Sequence, residues 1–161
     1  MADRTLQVFG TSLPMSLLRA RECVVQQFRH ALRRHQLNET QWRVLRVLAE
    51  LPEVTAKELA RETAILSPSL SRMLVTLAAR GLIQRKTDPN DLRQALVSMA
   101  PGGRELFDRA APDIESVYSE MANAFGHERL ERLHTELEAL RQALPGKRPQ
   151  KNTSASGRRS P

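Results

Sequence analysis

The segment that most constrains the fold is residues 67–81, SPSLSRMLVTLAARG, because it reads as one short helix with a start and a stop signal. Its large apolar residues recur at helical spacing and form a single stripe: Leu70, Met73, Leu74 and Leu77. Ser67 is the candidate N-cap, Pro68 suits the first turn, and Gly81 is the expected left-handed stop. A helix this short needs a core that its neighbours supply.

The opposite face of this helix is small and polar and contains one arginine. It is formed by Ser69, Ser71, Arg72 and Thr76. No Asp or Glu occurs between Glu62 and Asp88, and the same interval contains four cations: Arg72, Arg80, Arg85 and Lys86. Short side chains let a helix approach base edges in a major groove, and an arginine fork matches guanine O6 and N7. The positive helix N-terminus also attracts phosphate. This pattern predicts a helix that contacts DNA.

Three helices are predicted before this segment. A long helix spans 12–35, with an apolar side that one arginine interrupts. The second helix begins after Asn38, whose side chain can form a capping box with Gln41, and it stops at Pro52. A short β-prone stretch then precedes a third helix at 56–63. The third helix and the segment at 67–81 therefore form a helix-turn-helix.

A hairpin and two helices are predicted after the segment. The β-prone runs 82–86 and 92–99 flank the turn sequence TDPND, which predicts a wing. The next helix contains Pro112, which should kink or split it because proline cannot donate to the Asp108 carbonyl. Leucines follow a three–four spacing in the last helix and predict a partner helix there: Leu130, Leu133, Leu137, Leu140 and Leu144.

The predicted fold class is mainly α with a small β-wing, a winged helix-turn-helix core flanked by N- and C-terminal dimerisation helices. The expected parts are a dimerisation helix at 12–36, the DNA-binding domain at 37–100, dimerisation helices at 101–144 and a disordered basic tail at 145–161. The tail has five cations and no acid, so it supplies five of the +7 net charges. Such a tail can add attraction to a polyanion that does not depend on sequence.

Composition excludes several classes of protein. No apolar run reaches the roughly 18 residues of a membrane span, and the single cysteine, Cys23, fits a reducing compartment, so we expect a cytoplasmic protein. There is no Gly-rich phosphate loop and no nucleophile motif, which argues against an enzyme or a cofactor. The four histidines lack cysteine or carboxylate neighbours at metal-ligand spacing, so no metal is expected.

Residues 37–107 resemble the MarR-type winged helix-turn-helix regulators. The most specific piece is the spacing from the recognition helix through Gly81-Leu82-Ile83 and Arg85 to Asp91-x-Arg93. The stretches LLRARECVVQQFR and QLNETQWRVLRVLAE are similar to the regulators of homoprotocatechuate-degradation operons and to hydroxycinnamate-responsive relatives. The resemblance extends over roughly residues 13–143.

The resemblance implies a homodimer that binds a pseudo-palindromic operator in double-stranded DNA and releases it when an aromatic acid or phenol binds. The recognition helix would begin at Ser67-Pro68, with Arg93 as the wing arginine and Asp91 orienting the wing through a pair with Arg85 or Arg93. The residues expected at the DNA are Ser67, Pro68, Ser69, Ser71, Arg72, Thr76, Arg85, Lys86, Asp91 and Arg93.

The effector site is less constrained by the sequence. Arg21 lies on the apolar side of the first helix, and a buried arginine needs an anion, either a nearby acid such as Glu22 or an aromatic carboxylate. Trp42 could be a flat wall for a ring or a core residue, and Arg29 and His30 are further candidates. Cys23 is expected to be a small core residue. Two alternatives stay open: a DNA-binding module without ligand control, and a redox sensor that uses Cys23.

Overall fold

The computed structural model describes residues 12–89, 91 and 94–144, and six helices and three strands occur in that part of the chain. In chain order they are α1 (Leu13–Arg34), α2 (Glu39–Glu50), β1 (Val54–Thr55), α3 (Ala56–Thr63), α4 (Ser67–Ala79), β2 (Ile83–Thr87), β3 (Ala95–Met99), α5 (Pro101–Phe125) and α6 (His127–Ala143). The predicted order of helices and hairpin is confirmed. The basic tail at 145–161 and the wing residue Arg93 lie outside the described residues.

Local capping sets the ends of the helices around the helix-turn-helix. The predicted capping box between Asn38 and Gln41 is present, and Thr55 forms a second one with Glu58 at the start of α3. Gly81 follows α4 with φ +69°, as its position after the helix predicts. Ser67, however, is not the N-cap. Leu66 occupies that position with an extended backbone, and Ser67 is the first helical residue, so its hydroxyl does not cap the helix.

The sheet has three antiparallel strands in the order β1-β3-β2. Arg85 pairs with Val97 across the hairpin, and Val54 pairs with the other side of Val97. Lys86 Nζ lies 2.6 Å from a Glu53 carboxylate oxygen, so an ion pair joins β2 to the loop before β1. The wing is therefore anchored to the helix-turn-helix through the β1 strand.

The apolar stripe of α4 faces the core, as predicted. Leu70, Leu74 and Leu77 are at most 1% exposed. They share this core with fully buried residues of α2, α3 and β3, among them Leu45, Leu59 and Val97. Met73, the fourth residue of the predicted stripe, is half-buried. Because the three leucines are buried, the orientation of α4 about its axis is fixed, and so is the face that it presents to solvent.

Helix α5 is continuous through Pro112, so of the two predicted outcomes the split is wrong and the kink stays a prediction. The residues on both sides of the proline are held by packing, since Leu106, Ala110 and Ile114 are all buried. Burial of this face outweighs the one backbone hydrogen bond that proline cannot form.

Helices α1 and α5 are joined by a polar contact and an aromatic contact. His35 Nε2 lies 2.7 Å from an Asp113 carboxylate oxygen, and Arg34 lies 3.5 Å from the same oxygen. The hydrogen bond from His35 is the main reason that the pKa of Asp113 is lowered. Further along, the rings of Phe28 and Tyr118 are 4.7 Å apart between centroids. Helices α1 and α5 therefore pack together within one chain.

The chain divides into two compact units, of which the first ends at Glu120 and the second begins at Met121. In the second unit α6 has no buried residue, and three members of its leucine seam are exposed: Leu133 at 43%, Leu137 at 39% and Leu144 at 65%. No helix in the described part of the chain is long and apolar enough to cross a membrane.

Candidate functional site

The outward face of α4 is where the sequence places its DNA contacts. Ser69, Ser71, Arg72 and Thr76 are all exposed there. Arg72 Nε donates to the Pro68 carbonyl at 3.4 Å, and the Thr76 hydroxyl donates to the Arg72 carbonyl at 3.3 Å. Among the described residues, no acceptor takes the terminal amino groups of Arg72. Nε of Arg72 is therefore bonded within the helix, while its two terminal amino groups stay available, as recognition of guanine requires.

Two further residues belong to this face, and the sequence interpretation did not include them. Val75 is 58% exposed and Ala79 is also exposed. Both residues are apolar, so the polar pattern of this face does not indicate them. Their spacing does, because Val75 lies four residues after Ser71 and Ala79 lies seven after Arg72, and residues at those offsets project from the same side of a helix.

The wing presents two cations on β2. Arg85 and Lys86 are exposed, and Lys86 is paired with Glu53. Within the described ranges Arg85 takes part in no ion pair. Asp91 accepts a hydrogen bond of 2.8 Å from Gln94, a partner that the sequence analysis did not name. Its pairing with Arg93 stays a prediction, because Arg93 is outside the described residues.

A chain of polar contacts connects α1 to the turn before α4. Arg21 lies 3.4 Å from the Glu39 carboxylate, and Arg43 binds the same carboxylate through Nη2 at 3.2 Å. Arg43 also donates through Nη1 to the carbonyl of Thr63, the last residue of α3, at 2.7 Å. Its buried Nε is only 2.9 Å from Glu39, although no acceptor lies in line with that N–H. Arg43 therefore fixes α2 against the helix-turn-helix corner.

An aromatic groove lies between α2 and α5. Trp42, 8% exposed, stacks on Phe107 with 4.8 Å between centroids and 10° between planes. Arg46 lies 5.9 Å from the Tyr118 ring and donates to its hydroxyl at 3.3 Å. The groove has a volume of about 690 Å³ and is lined by these residues together with Arg104, Ile114 and Glu115. Trp42 is thus buried and also lines the groove. The groove offers apolar walls, two arginines and two acids, and Arg46 Nε lies 3.9 Å from a Glu50 carboxylate oxygen.

The remaining effector candidates lie elsewhere. Arg21 is not buried, which corrects the premise for a ligand role: its side chain is 49% exposed and Glu22 and Glu39 neutralise it. Arg29 also pairs with Glu22, at 3.2 Å, and lines with Arg21 a smaller cavity of about 280 Å³. His30 is exposed and does not line either cavity. Arg21 and Arg29 therefore lie where α1 approaches the start of α2, and acids already pair with both side chains.

Cys23 is exposed, so the prediction of a small core residue is wrong. Gln27, on the same helix, donates to the backbone carbonyl of Cys23 at 3.4 Å. In the part of the chain that the structure describes, no three His, Cys, Asp or Glu side chains gather closely enough to hold a metal ion.

Comparison with known proteins gives the family. The homoprotocatechuate degradative operon repressor of Escherichia coli is 38% identical over 122 residues, which cover 76% of this chain and 82% of that protein. The structure of NadR in complex with 4-hydroxyphenylacetate is similar with a TM-score of 0.72 and 30% identity, over 83% of this chain and 95% of that one.

CouR, whose structure was solved bound to a 23-mer DNA duplex, has a TM-score of 0.74 and 28% identity, over 80% of this chain and 92% of that one. The sequence pattern of the MarR family matches residues 35–94, which run from α2 into the wing. The chain belongs to the MarR family.

Proposed function

We propose that this protein is a homodimeric transcriptional repressor in the cytoplasm that controls an aromatic-catabolism operon. The observation that carries the proposal is the exposed, acid-free face of α4, with Arg72 open at its tip. The E. coli relative is named as a repressor of such an operon, and CouR is seen with DNA, which supports the same role here. Each α4 enters the major groove of one half-site, roughly 34–36 Å from the other.

Binding to the promoter region beside its own gene tests this proposal. Fluorescence anisotropy with a labelled duplex should show tight binding at moderate salt and at least a thousandfold preference over random DNA of equal length. Log affinity should fall linearly with log salt, because cations displace counterions from phosphates. Equal affinity for promoter and random DNA at every salt concentration would contradict an operator-specific repressor.

The effector is an aromatic acid or phenol held in the groove between α2 and α5. The ring lies against Trp42 and Tyr118, and Arg46 at the groove wall meets the carboxylate. NadR is seen with 4-hydroxyphenylacetate, a molecule of this chemical class. Binding weakens the complex with DNA only if the DNA-free arrangement binds the effector more tightly. Trp42 and Arg43 lie on the same helix, so a movement of α2 when the effector binds also moves Arg43, which is hydrogen-bonded to the Thr63 carbonyl.

Arg46→Gln should raise the dissociation constant for 4-hydroxyphenylacetate about tenfold or more, because a hydrogen bond to a charged group contributes roughly 1.5–3 kcal/mol. Trp42 is the single tryptophan of the chain, so its fluorescence reports binding directly. Arg21→Ala is the matched comparison, since Arg21 lines the other cavity, on α1, and not the groove. A large loss of affinity in Arg21→Ala with none in Arg46→Gln would show that the carboxylate binds in the cavity on α1.

The dimer is formed through the exposed leucine seam of α6, and α1 carries a second exposed apolar surface. Leu17, Leu18 and Val24 on α1 are 39–51% exposed, an apolar surface that a second copy would cover. Two copies related by a two-fold axis place two recognition helices on one face, as a pseudo-palindrome demands.

Leu137→Glu should convert the dimer to monomers, because it buries a carboxylate in an apolar seam without a partner. Size-exclusion chromatography with light scattering measures the mass. Thr135→Glu adds the same charge on the opposite side of α6 and should leave the dimer intact. Monomers from both variants, or from neither, would show that the seam is not the interface.

A further inference from the structure

The outward face of α4 contains an apolar residue that packing within the chain does not explain. Val75 is 58% exposed, whereas Leu70, Leu74 and Leu77 of the same helix are at most 1% exposed. Helix formation does not favour valine at an exposed position either, since branching at Cβ lowers helix propensity. The side chain is therefore available to a partner outside the chain.

Val75 lies on the same face of α4 as the predicted DNA contacts Ser71 and Arg72. It follows Ser71 by four residues and Arg72 by three, and it precedes Ala79 by four, so all four side chains share one face. That face points away from the buried stripe. Because the stripe fixes the rotation of α4, any surface that Arg72 approaches is within reach of Val75 as well.

We infer that Val75 is a specificity-determining residue whose methyl groups contact the 5-methyl group of a thymine in each half-site. The inference rests on the proposed function. Thymine alone presents a methyl group in the major groove, and apolar side chains recognise it. Ser71 and Arg72 offer hydrogen bonds, and Thr76 uses its hydroxyl on the Arg72 carbonyl. Val75 supplies the larger apolar surface on this face.

Selection from a random duplex library defines the DNA for the test. The sequences that wild-type protein enriches should contain a thymine at a fixed, symmetric position in both half-sites. That thymine is then replaced by deoxyuridine, which removes only the methyl group. Wild-type affinity, measured by anisotropy, should fall about fourfold for each half-site changed, the effect of one buried methyl-sized group.

Two variants test whether the preference for thymine depends on Val75 in particular. Val75→Ala should bind the thymine and deoxyuridine duplexes equally. Leu66→Ala is the matched control, because Leu66 is an apolar residue that is 79% exposed but lies at the N-cap, away from the outward face. It should keep the fourfold preference for thymine.

Two results would overturn the inference. In the first, wild-type protein binds the enriched duplexes specifically but does not distinguish thymine from deoxyuridine at any position, which excludes the methyl contact and leaves the repressor function in place. In the second, Val75→Ala keeps the full preference, which assigns the contact to another residue. If the library yields no enriched sequence, the proposed function itself fails, and the inference fails with it.

Discussion

Arg72→Ala should abolish most of the sequence preference of this protein while leaving its fold unchanged. A bidentate contact from arginine to guanine contributes about 1–3 kcal/mol of discrimination, and a dimer loses it twice. The substitution removes no buried contact, since Arg72 is exposed and its only bonds in the described chain are to its own helix. Anisotropy titrations on the operator and on random DNA give the ratio of the two affinities.

Arg80→Ala is the matched control for this prediction. Arg80 is an exposed arginine at the C-cap of the same helix, so its loss removes one equal charge without touching the outward face near Ser71. It should weaken binding to all sequences by a similar factor and lower the salt slope by about two, one for each protomer of the dimer. If Arg72→Ala behaves in the same way, then Arg72 contacts phosphate, and base recognition must come from other residues.

The parts of this fold that the sequence predicted well are those set by local signals. The stripe at Leu70, Leu74 and Leu77 fixes both the existence of α4 and the direction of its polar face. The capping box at Asn38 and the left-handed Gly81 mark helix ends through backbone chemistry that depends on only a few residues. Such signals act at short range, so they can be read without the tertiary structure.

The predictions that failed depend on neighbours that are remote in sequence. Pro112 leaves α5 intact because buried residues on either side hold the helix. Arg21 and Cys23 lie in the N-terminal half of α1, whereas the buried residues of that helix are Phe28, Ala31 and Leu32, so burial inferred from periodicity alone was wrong for both. Glu39, 18 residues away from Arg21, could not be recognised as its partner from spacing.

The proposed coupling between effector and DNA involves one part that the sequence predicted and one part that it did not. The recognition face is local, while the groove depends on contacts between α2 and α5, such as the stack of Trp42 on Phe107. Arg43 then links α2 to the end of α3 through the Thr63 carbonyl. A sequence can therefore predict the outward face of α4, whereas the contacts that join the groove to the end of α3 appear only in three dimensions.

Gly103→Ala should destabilise the protein by about 3 kcal/mol, at the upper end of what overpacking a core costs. A Cβ at Gly103 would lie 2.0 Å from the carbonyl oxygen of Leu82 and 3.1 Å from Met99 Cγ. The Leu82 backbone cannot retreat easily, because its N–H donates to Leu77 and its carbonyl accepts from Ala100. Relief of the clash must displace either the start of α5 or the junction between α4 and the wing.

The neighbouring glycine is the control for this prediction. A Cβ at Gly102 would meet only the Gly81 carbonyl oxygen, at 3.1 Å, so a small shift accommodates it. Gly102→Ala also gains helix propensity of about 1 kcal/mol, which offsets that shift. Urea unfolding followed by Trp42 fluorescence, at one protomer concentration, should show a large loss for Gly103→Ala and almost none for Gly102→Ala. Equal stability of the two variants would mean that α5 does not rest directly on Leu82. In that case α5 would not hold the recognition helix and the wing in register.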